Sequence, residues 1–160
     1  MKNPYTENSK RLSDVIAAIQ VMATYKFYKL NFSDWSDRIE GRPENGDYWQ
    51  NVFQQHPEFF RLDSKQERAS LVWRRNYQKL YDVDLETKIT RERYLKLDDE
   101  KKKRISRTPL TNSDISTLIG TAINLHASEI EHRRDSRWWI SGVVGLLGVI
   151  VGAVINAVIK

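Results

Sequence analysis

The 160-residue sequence contains no cysteine, so it can form neither a disulfide nor a thiolate metal site, and it has no cysteine nucleophile. It also lacks the sequence motifs of P-loop proteins, dinucleotide-binding proteins, serine hydrolases and zinc metalloproteases. Two of its three histidines, His126 and His132, lie six residues apart. On a helix, six residues rotate by about 600°, so the two rings would point about 120° apart and could not readily share a metal ion. We therefore expect no catalytic residue, metal or cofactor, and an interaction protein rather than an enzyme.

Neither sign of charge dominates the chain. It has 26 Lys and Arg residues against 21 Asp and Glu residues, a formal net charge of +5. Residues 9–76 contain eleven basic and nine acidic residues, a net charge of +2. Because nucleic-acid-binding domains usually show a clearer basic face, charge alone does not favour nucleic acid as the partner.

Long apolar runs are absent until residue 138, where an uncharged stretch begins that continues to residue 159. As a helix, these 22 residues would be roughly 33 Å long, close to the roughly 30 Å hydrocarbon core of a bilayer. The rest of the chain is polar, so the overall mean hydropathy is −0.61. The N-terminus shows no apolar run after Lys2, so we expect no signal peptide. The pattern predicts a tail-anchored protein with one transmembrane helix over residues 138–159.

Residues on either side of this stretch predict its orientation. Arg133, Arg134 and Arg137 precede it and a single lysine, Lys160, follows it. Positive residues favour the cytoplasmic side, so we expect the N-terminal body to be cytoplasmic, at the inner membrane if the protein is bacterial. Trp138 and Trp139 are typical of the aromatic belt at the membrane surface.

The predicted transmembrane helix also carries a stripe of small and polar residues. They are spaced four, three, four and four apart, which places them on one helix face: Ser141, Gly145, Gly148, Gly152 and Asn156. Small residues let membrane helices approach closely, and a buried asparagine can hydrogen-bond across the contact. Glycine is common in membrane helices in general, but five such residues on one face favour self-association into a homo-oligomer.

The polar body shows alternating helix and strand patterns. Apolar residues recur at steps of three and four over 9–29, and capping residues, turn residues and Pro57 delimit shorter helices over 34–40 and 47–56. Residues 58–62 and 68–74 have strand character; in the second run Ala69 and Leu71 alternate with Arg68, Ser70 and Arg74. We also expect a short extended link at 30–32 and Ser33 as the cap of the second helix.

The patterns predict a mainly α-helical chain with an α+β body over residues 1–76. Helix, short strand, helix, helix and hairpin in succession resemble the winged-helix fold, a helix-turn-helix variant in which the hairpin is the wing. A generic α+β domain with the same element order is the alternative.

The sequence patterns after residue 76 indicate helices. We predict a charged helical connector over 77–112, with one helix over 85–96 and a second whose ion pairs join residues four apart, Asp98 to Lys102 for example. The pattern over residues 113–137 predicts a juxtamembrane amphipathic helix. Its apolar seam could pack on the body or on a second copy of the chain. Thr111 and Asp114 have the spacing of a capping box at its start. This helix could continue without interruption to residue 159.

Three functions follow from these patterns. The preferred one is a membrane-held interaction protein whose winged-helix-like domain binds a protein partner or senses a signal. The second is a membrane-tethered DNA-binding regulator, with glutamines and asparagine of the third helix on base edges and basic residues on phosphates. The third is an oligomeric membrane-disrupting effector. For the first two, the predicted contact residues are Gln50, Asn51, Gln54, Lys65, Arg68, Arg74 and Arg75.

Overall fold

The computed structural model describes residue 5 and residues 8–132. These residues form an α+β body with two small antiparallel sheets, as the sequence predicts at that coarse level. In this part of the chain no helix is both long and apolar enough to cross a bilayer. The predicted transmembrane helix 138–159, its small-residue face and the arginines and tryptophans beside it lie outside the described residues.

Six helices and six strands make up the described body. In chain order the elements are α1 (Arg11–Thr24), β1 (Lys29–Asn31), α2 (Phe32–Glu40), a 3₁₀ turn (Pro43–Asn45), α3 (Gly46–Gln55), β2 (Phe60–Leu62), β3 (Arg68–Leu71), a second 3₁₀ turn (Trp73–Asn76), β4 (Tyr81–Asp82), β5 (Thr87–Lys88), α4 (Arg91–Leu95), α5 (Asp99–Lys103), β6 (Ile105–Ser106) and α6, described over 112–132. The first sheet has the order β1-β3-β2 and the second β5-β4-β6.

The first helix is shorter than its apolar period predicts. It ends at Thr24 rather than near Lys29, and Tyr25 is already extended, with φ −62° and ψ 140°. Carbonyl groups at this end accept hydrogen bonds from elsewhere in the chain: Ala23 O from the backbone N–H of Leu110, and Met22 O from a side chain described below. Tertiary hydrogen bonds thus satisfy groups that a longer helix would have satisfied itself.

The second helix begins earlier than predicted. Asn31, not Ser33, is its N-cap, because the Asn31 side chain accepts a hydrogen bond of 2.7 Å from the backbone N–H of Asp34. Gly41 ends the helix with φ +73°, the left-handed conformation expected of a glycine at this position. The third helix and the hairpin form close to where the sequence predicts them.

An aromatic core joins the three N-terminal helices to the first sheet. Trp35, Phe53 and Phe60 are fully buried, and the Trp35 indole N–H donates to the carbonyl of Ala69 at 2.9 Å. Strand β3 lies between β1 and β2, and Ala69, Ser70 and Leu71 are all buried. The strand predicted over 68–74 ends at Leu71, because the chain then enters the second 3₁₀ turn. The side-chain alternation predicted for residues 72–74 is therefore wrong.

Residues 77–112 do not form a helical connector. The predicted helix over 85–96 is wrong, because β4 and β5 pair across this region and only Arg91–Leu95 is helical. The second charged helix does form, capped by Asp98, but its ion pairs join residues three apart, such as Lys102 to Asp99. Ser106 accepts a hydrogen bond from the backbone of Tyr28, so this region is part of the body.

The last helix begins at the predicted capping box. The Thr111 hydroxyl accepts from the backbone N–H of Asp114, whose carboxylate accepts in return from the Thr111 N–H at 3.0 Å. Leu118 and Ala122 are buried in the same core as α1, so the first half of α6 packs on the body.

Candidate recognition groove

A surface groove of about 750 Å³ lies between the end of α3, the β2–β3 hairpin and the segment that follows β6. We call it the hairpin groove. Its lining includes Gln54 in the last turn of α3, Pro57 after that helix, Arg61 and Gln66 on the hairpin, and Arg75 beyond it.

The hairpin groove is basic. Four cationic side chains line it, Lys29, Arg61, Arg75 and Arg107, against one acidic side chain, Asp63. Four positive charges less one negative charge leave a net +3 at this one site, in a chain whose whole net charge is +5. The local charge therefore favours an anionic ligand, although the body as a whole is nearly balanced.

Sheet register brings part of this charge together. Lys29 of β1 and Arg61 of β2 both pair with Ser70 of the central strand β3. Residues in one cross-strand row share a sheet face, so the two cations project from the same face. The Lys29 ammonium lies 3.7 Å from the Asp63 carboxylate, an ion pair that partly neutralises this end of the groove.

Arg107 is the rigid member of the group. One of its terminal nitrogens donates to the carbonyls of Arg75 and Tyr77, and its guanidinium lies 5.0 Å from the centre of the Tyr28 ring. The Arg61 and Arg75 side chains are exposed, and neither makes a hydrogen bond or ion pair with residues 8–132. The groove thus combines one fixed cation with two that are available to a ligand.

Arg74, a predicted surface contact, is not at the surface. It is fully buried and donates to three carbonyl oxygens: Met22 O at 2.9 Å, Tyr25 O at 2.5 Å and Arg107 O at 2.5 Å. Burial lowers the pKa of Arg74 to about 10, so the group remains charged at neutral pH. The 3₁₀ turn after β3 rotates this side chain inward, and Arg74 connects α1 to the segment after β6 instead of binding a partner.

Only some of the other predicted contacts lie in the hairpin groove. Gln54 and Arg75 line the hairpin groove, whereas Gln50 lines a smaller pocket of about 390 Å³ with the acidic residues Asp47 and Glu67. Asn51 is exposed on α3. Exposed residues Lys65 and Arg68 lie on the hairpin outside the groove lining.

The chain matches no known family. No family model, curated protein or solved structure is similar to it.

The histidines do not form a metal centre in the part of the chain that the structure describes, where no group of three or more potential ligands occurs. His56 is buried, with Nδ1 2.9 Å from a Glu58 carboxylate oxygen and its ring 4.5 Å from that of Tyr5. His126 contacts the same tyrosine ring at 5.5 Å. These rings help to pack α6 against the body.

Proposed function

We propose that this protein is a membrane-tethered recognition module. A winged-helix-like cytoplasmic body binds a protein partner in the hairpin groove. A single transmembrane helix over 138–159 holds the body at the membrane and self-associates through its glycine-rich face.

Strand pairing supports the winged-helix part of this proposal. The order α1, β1, α2, α3, β2, β3 is that of a winged helix, and the short strand between the first two helices pairs with the second strand of the hairpin. In a two-stranded β2–β3 hairpin, by contrast, β1 would have no partner strand. In this interpretation α3 takes the position of the recognition helix and the β2–β3 hairpin that of the wing.

The observation that carries the proposed function is the basic hairpin groove beside α3. Its volume is that of a site for several side chains, and its charge complements carboxylates. Arg61 and Arg75 offer planar guanidinium groups, which bind carboxylates through two parallel hydrogen bonds. An acidic segment of a protein partner fits this combination.

The charge of α3 argues against DNA as the ligand. Gly46–Gln55 contains one acidic residue and no basic residue, and its N-terminal end carries Asp47. Two acidic residues of the hairpin, Asp63 and Glu67, would also face a phosphate backbone. DNA binding depends on neutralising phosphates, so such a surface is expected to bind duplex DNA poorly.

The exposed Gln54 and Asn51 side chains keep a DNA-binding regulator as the alternative, because amide side chains can read base edges. Retardation of duplex DNA at low salt, reduced by Lys65→Ala with Arg68→Ala, is expected only in that case. The absence of retardation would eliminate the alternative.

The main proposal is tested by purifying the intact, tagged protein from its own membranes in mild detergent and identifying what comes with it. We expect a defined protein partner with the wild type and its loss with Arg61→Glu plus Arg75→Glu. The matched control is Arg91→Glu plus Arg93→Glu, a pair of exposed arginines on α4 outside the groove. Equal recovery of the same partner with both pairs would show that the groove is not the binding site.

A further inference from the structure

Among the residues that the structure describes, the body covers one side of α6. Leu118 and Ala122 are buried, whereas Ile123 and Ile130, seven residues apart, are 46% and 51% exposed. Isolated exposed isoleucines are ordinary, but two on one helix at heptad spacing indicate a surface that a further helix could cover.

The exposed isoleucines belong to one stripe. At about 100° per residue, Ile130, Ile123, Ala127 and Gly120 lie about 20°, 40°, 80° and 100° around the helix from Ile119. We call these five residues the α6 stripe. A Cβ added to Gly120 would meet no atom within 4 Å, so the space beside the small residue is open. The stripe thus pairs large side chains with a small residue beside open space, the arrangement by which two helices interlock.

Four of the five stripe residues lie in a segment without charge, and the fifth, Ile130, lies between Glu129 and Glu131. No Asp, Glu, Lys or Arg occurs from residue 115 to residue 128, in a chain of which 29% is charged. A contact between two identical surfaces places like residues close together, and any charge there would repel its own copy. An uncharged apolar stripe therefore suits a second copy of the same chain.

Lipid does not account for this surface. Ile123 precedes the uncharged stretch 138–159 by 15 residues, roughly 22 Å along a helix, with the charged residues of 129–137 between them. A hydrocarbon layer that holds 138–159 would not reach it.

Chain direction favours a parallel copy. Two molecules inserted in one membrane through 138–159 would present their α6 helices side by side, in the same direction and at the same height.

We propose that a second copy of this chain packs in parallel along the α6 stripe, with Ile123 opposite Ile123 and Ile130 opposite Ile130. The contact extends the membrane self-association into the cytoplasmic body, and it rests on that part of the proposed function.

Because the natural chain has no cysteine, single introduced cysteines report this contact directly. The full chain is expressed in membranes with Ile123→Cys or Ile130→Cys, and disulfide formation is driven by a mild oxidant. Matched controls are Thr121→Cys and Ser128→Cys, which are also exposed but point about 160–180° away from Ile119. We expect cross-linked dimer at the two isoleucine positions to exceed the controls at least about fivefold, given that a disulfide requires a Cα separation below about 7 Å.

Two further variants make the result decisive. Gly120→Leu should leave the body folded, because the space beside Gly120 is open, and should reduce cross-linking through Ile123→Cys. Gly145→Cys reports the membrane contact by itself. Cross-linking at Gly145→Cys without a preference at the α6 stripe would overturn this inference and leave the proposed self-association intact. No cross-linking at any of these positions would overturn both.

Discussion

Replacing Arg74 with alanine tests the structural basis of the groove. The guanidinium is fully buried and joins the carbonyls of Met22 and Tyr25, at the end of α1, to that of Arg107. Truncation would leave three carbonyl oxygens without their donor, and the segment carrying Arg107 would lose its connection to α1. We expect a large loss of stability and a distorted groove.

The magnitude follows from two opposing terms. Hydrogen bonds from a charged donor contribute about 1.5–3 kcal/mol each, and Arg74 makes three of them. Burial of the charge, which lowers the pKa of Arg74 from its ordinary value to about 10, offsets about 3 kcal/mol of that gain at about 1.4 kcal/mol per pKa unit. Three such bonds contribute about 4.5–9 kcal/mol, so the net cost of Arg74→Ala is about 1.5–6 kcal/mol, or a fall in melting temperature on the order of 10 °C.

The assay is thermal and urea unfolding of the full chain in a non-ionic detergent, followed by tryptophan fluorescence. Arg75→Ala is the matched control, because that neighbouring side chain is exposed and its loss should change stability by no more than about 0.5 kcal/mol. Arg74→Lys keeps the charge but cannot reach all three carbonyls, and should give an intermediate value. Equal midpoints for Arg74→Ala and Arg75→Ala would refute the assigned role of Arg74.

Three further predictions concern the body. Trp35→Phe should cost about 1–3 kcal/mol in urea unfolding, because it removes the indole N–H that donates to the Ala69 carbonyl and leaves part of a fully buried site unfilled; no change in midpoint would contradict this. Gly41→Ala should destabilise the folded protein by about 1–2 kcal/mol, because Gly41 has φ +73°. Gly120→Ala should stabilise it by up to about 1 kcal/mol, because alanine favours a helix and the space beside Gly120 is open. The reverse order of unfolding midpoints would contradict both assignments. Hydrogen bonds from the Thr111 hydroxyl and backbone hold the pKa of Asp114 below its usual value, so the folded state binds fewer protons than the unfolded state near pH 4. Stability should therefore fall as pH drops through that range, and Asp114→Asn should flatten the fall in an acid-unfolding series.

Local sequence signals predicted the α+β body and several of its boundaries. Gly41 at the end of α2 and the Thr111–Asp114 capping box act as expected, because each signal depends on residues within one turn of the chain. The N-terminal helices and the hairpin were predictable for the same reason.

Features that depend on distant contacts were not predictable. Arg74 read as a surface residue from strand alternation, yet carbonyls of Met22 and Tyr25, about fifty residues away, and of Arg107 hold it inside. Thr87 and Lys88 read as helix but form a strand with β4, which also pairs with β6. Tertiary pairing overrides weak local propensity in such short segments.

The groove was found only in part from the sequence. Gln54 and Arg75 were named as contacts, but Lys29, Arg61 and Arg107 were missed. Those three come from two edge strands and a distant segment, so no local pattern joins them. Lys29 and Arg61 could have been predicted together only from the strand register, in which both pair with Ser70.

Recognition of a protein in the hairpin groove is the central claim, and site-specific photocrosslinking tests it most directly. A photoreactive side chain is placed at Gln54, which lines the groove, or at Glu86, an exposed residue at the turn between β4 and β5, and the cells are irradiated. We expect one discrete protein adduct from Gln54, lost when Arg61→Glu and Arg75→Glu are introduced, and none from Glu86. Equal adducts from both positions, or adducts to nucleic acid alone, would contradict the claim.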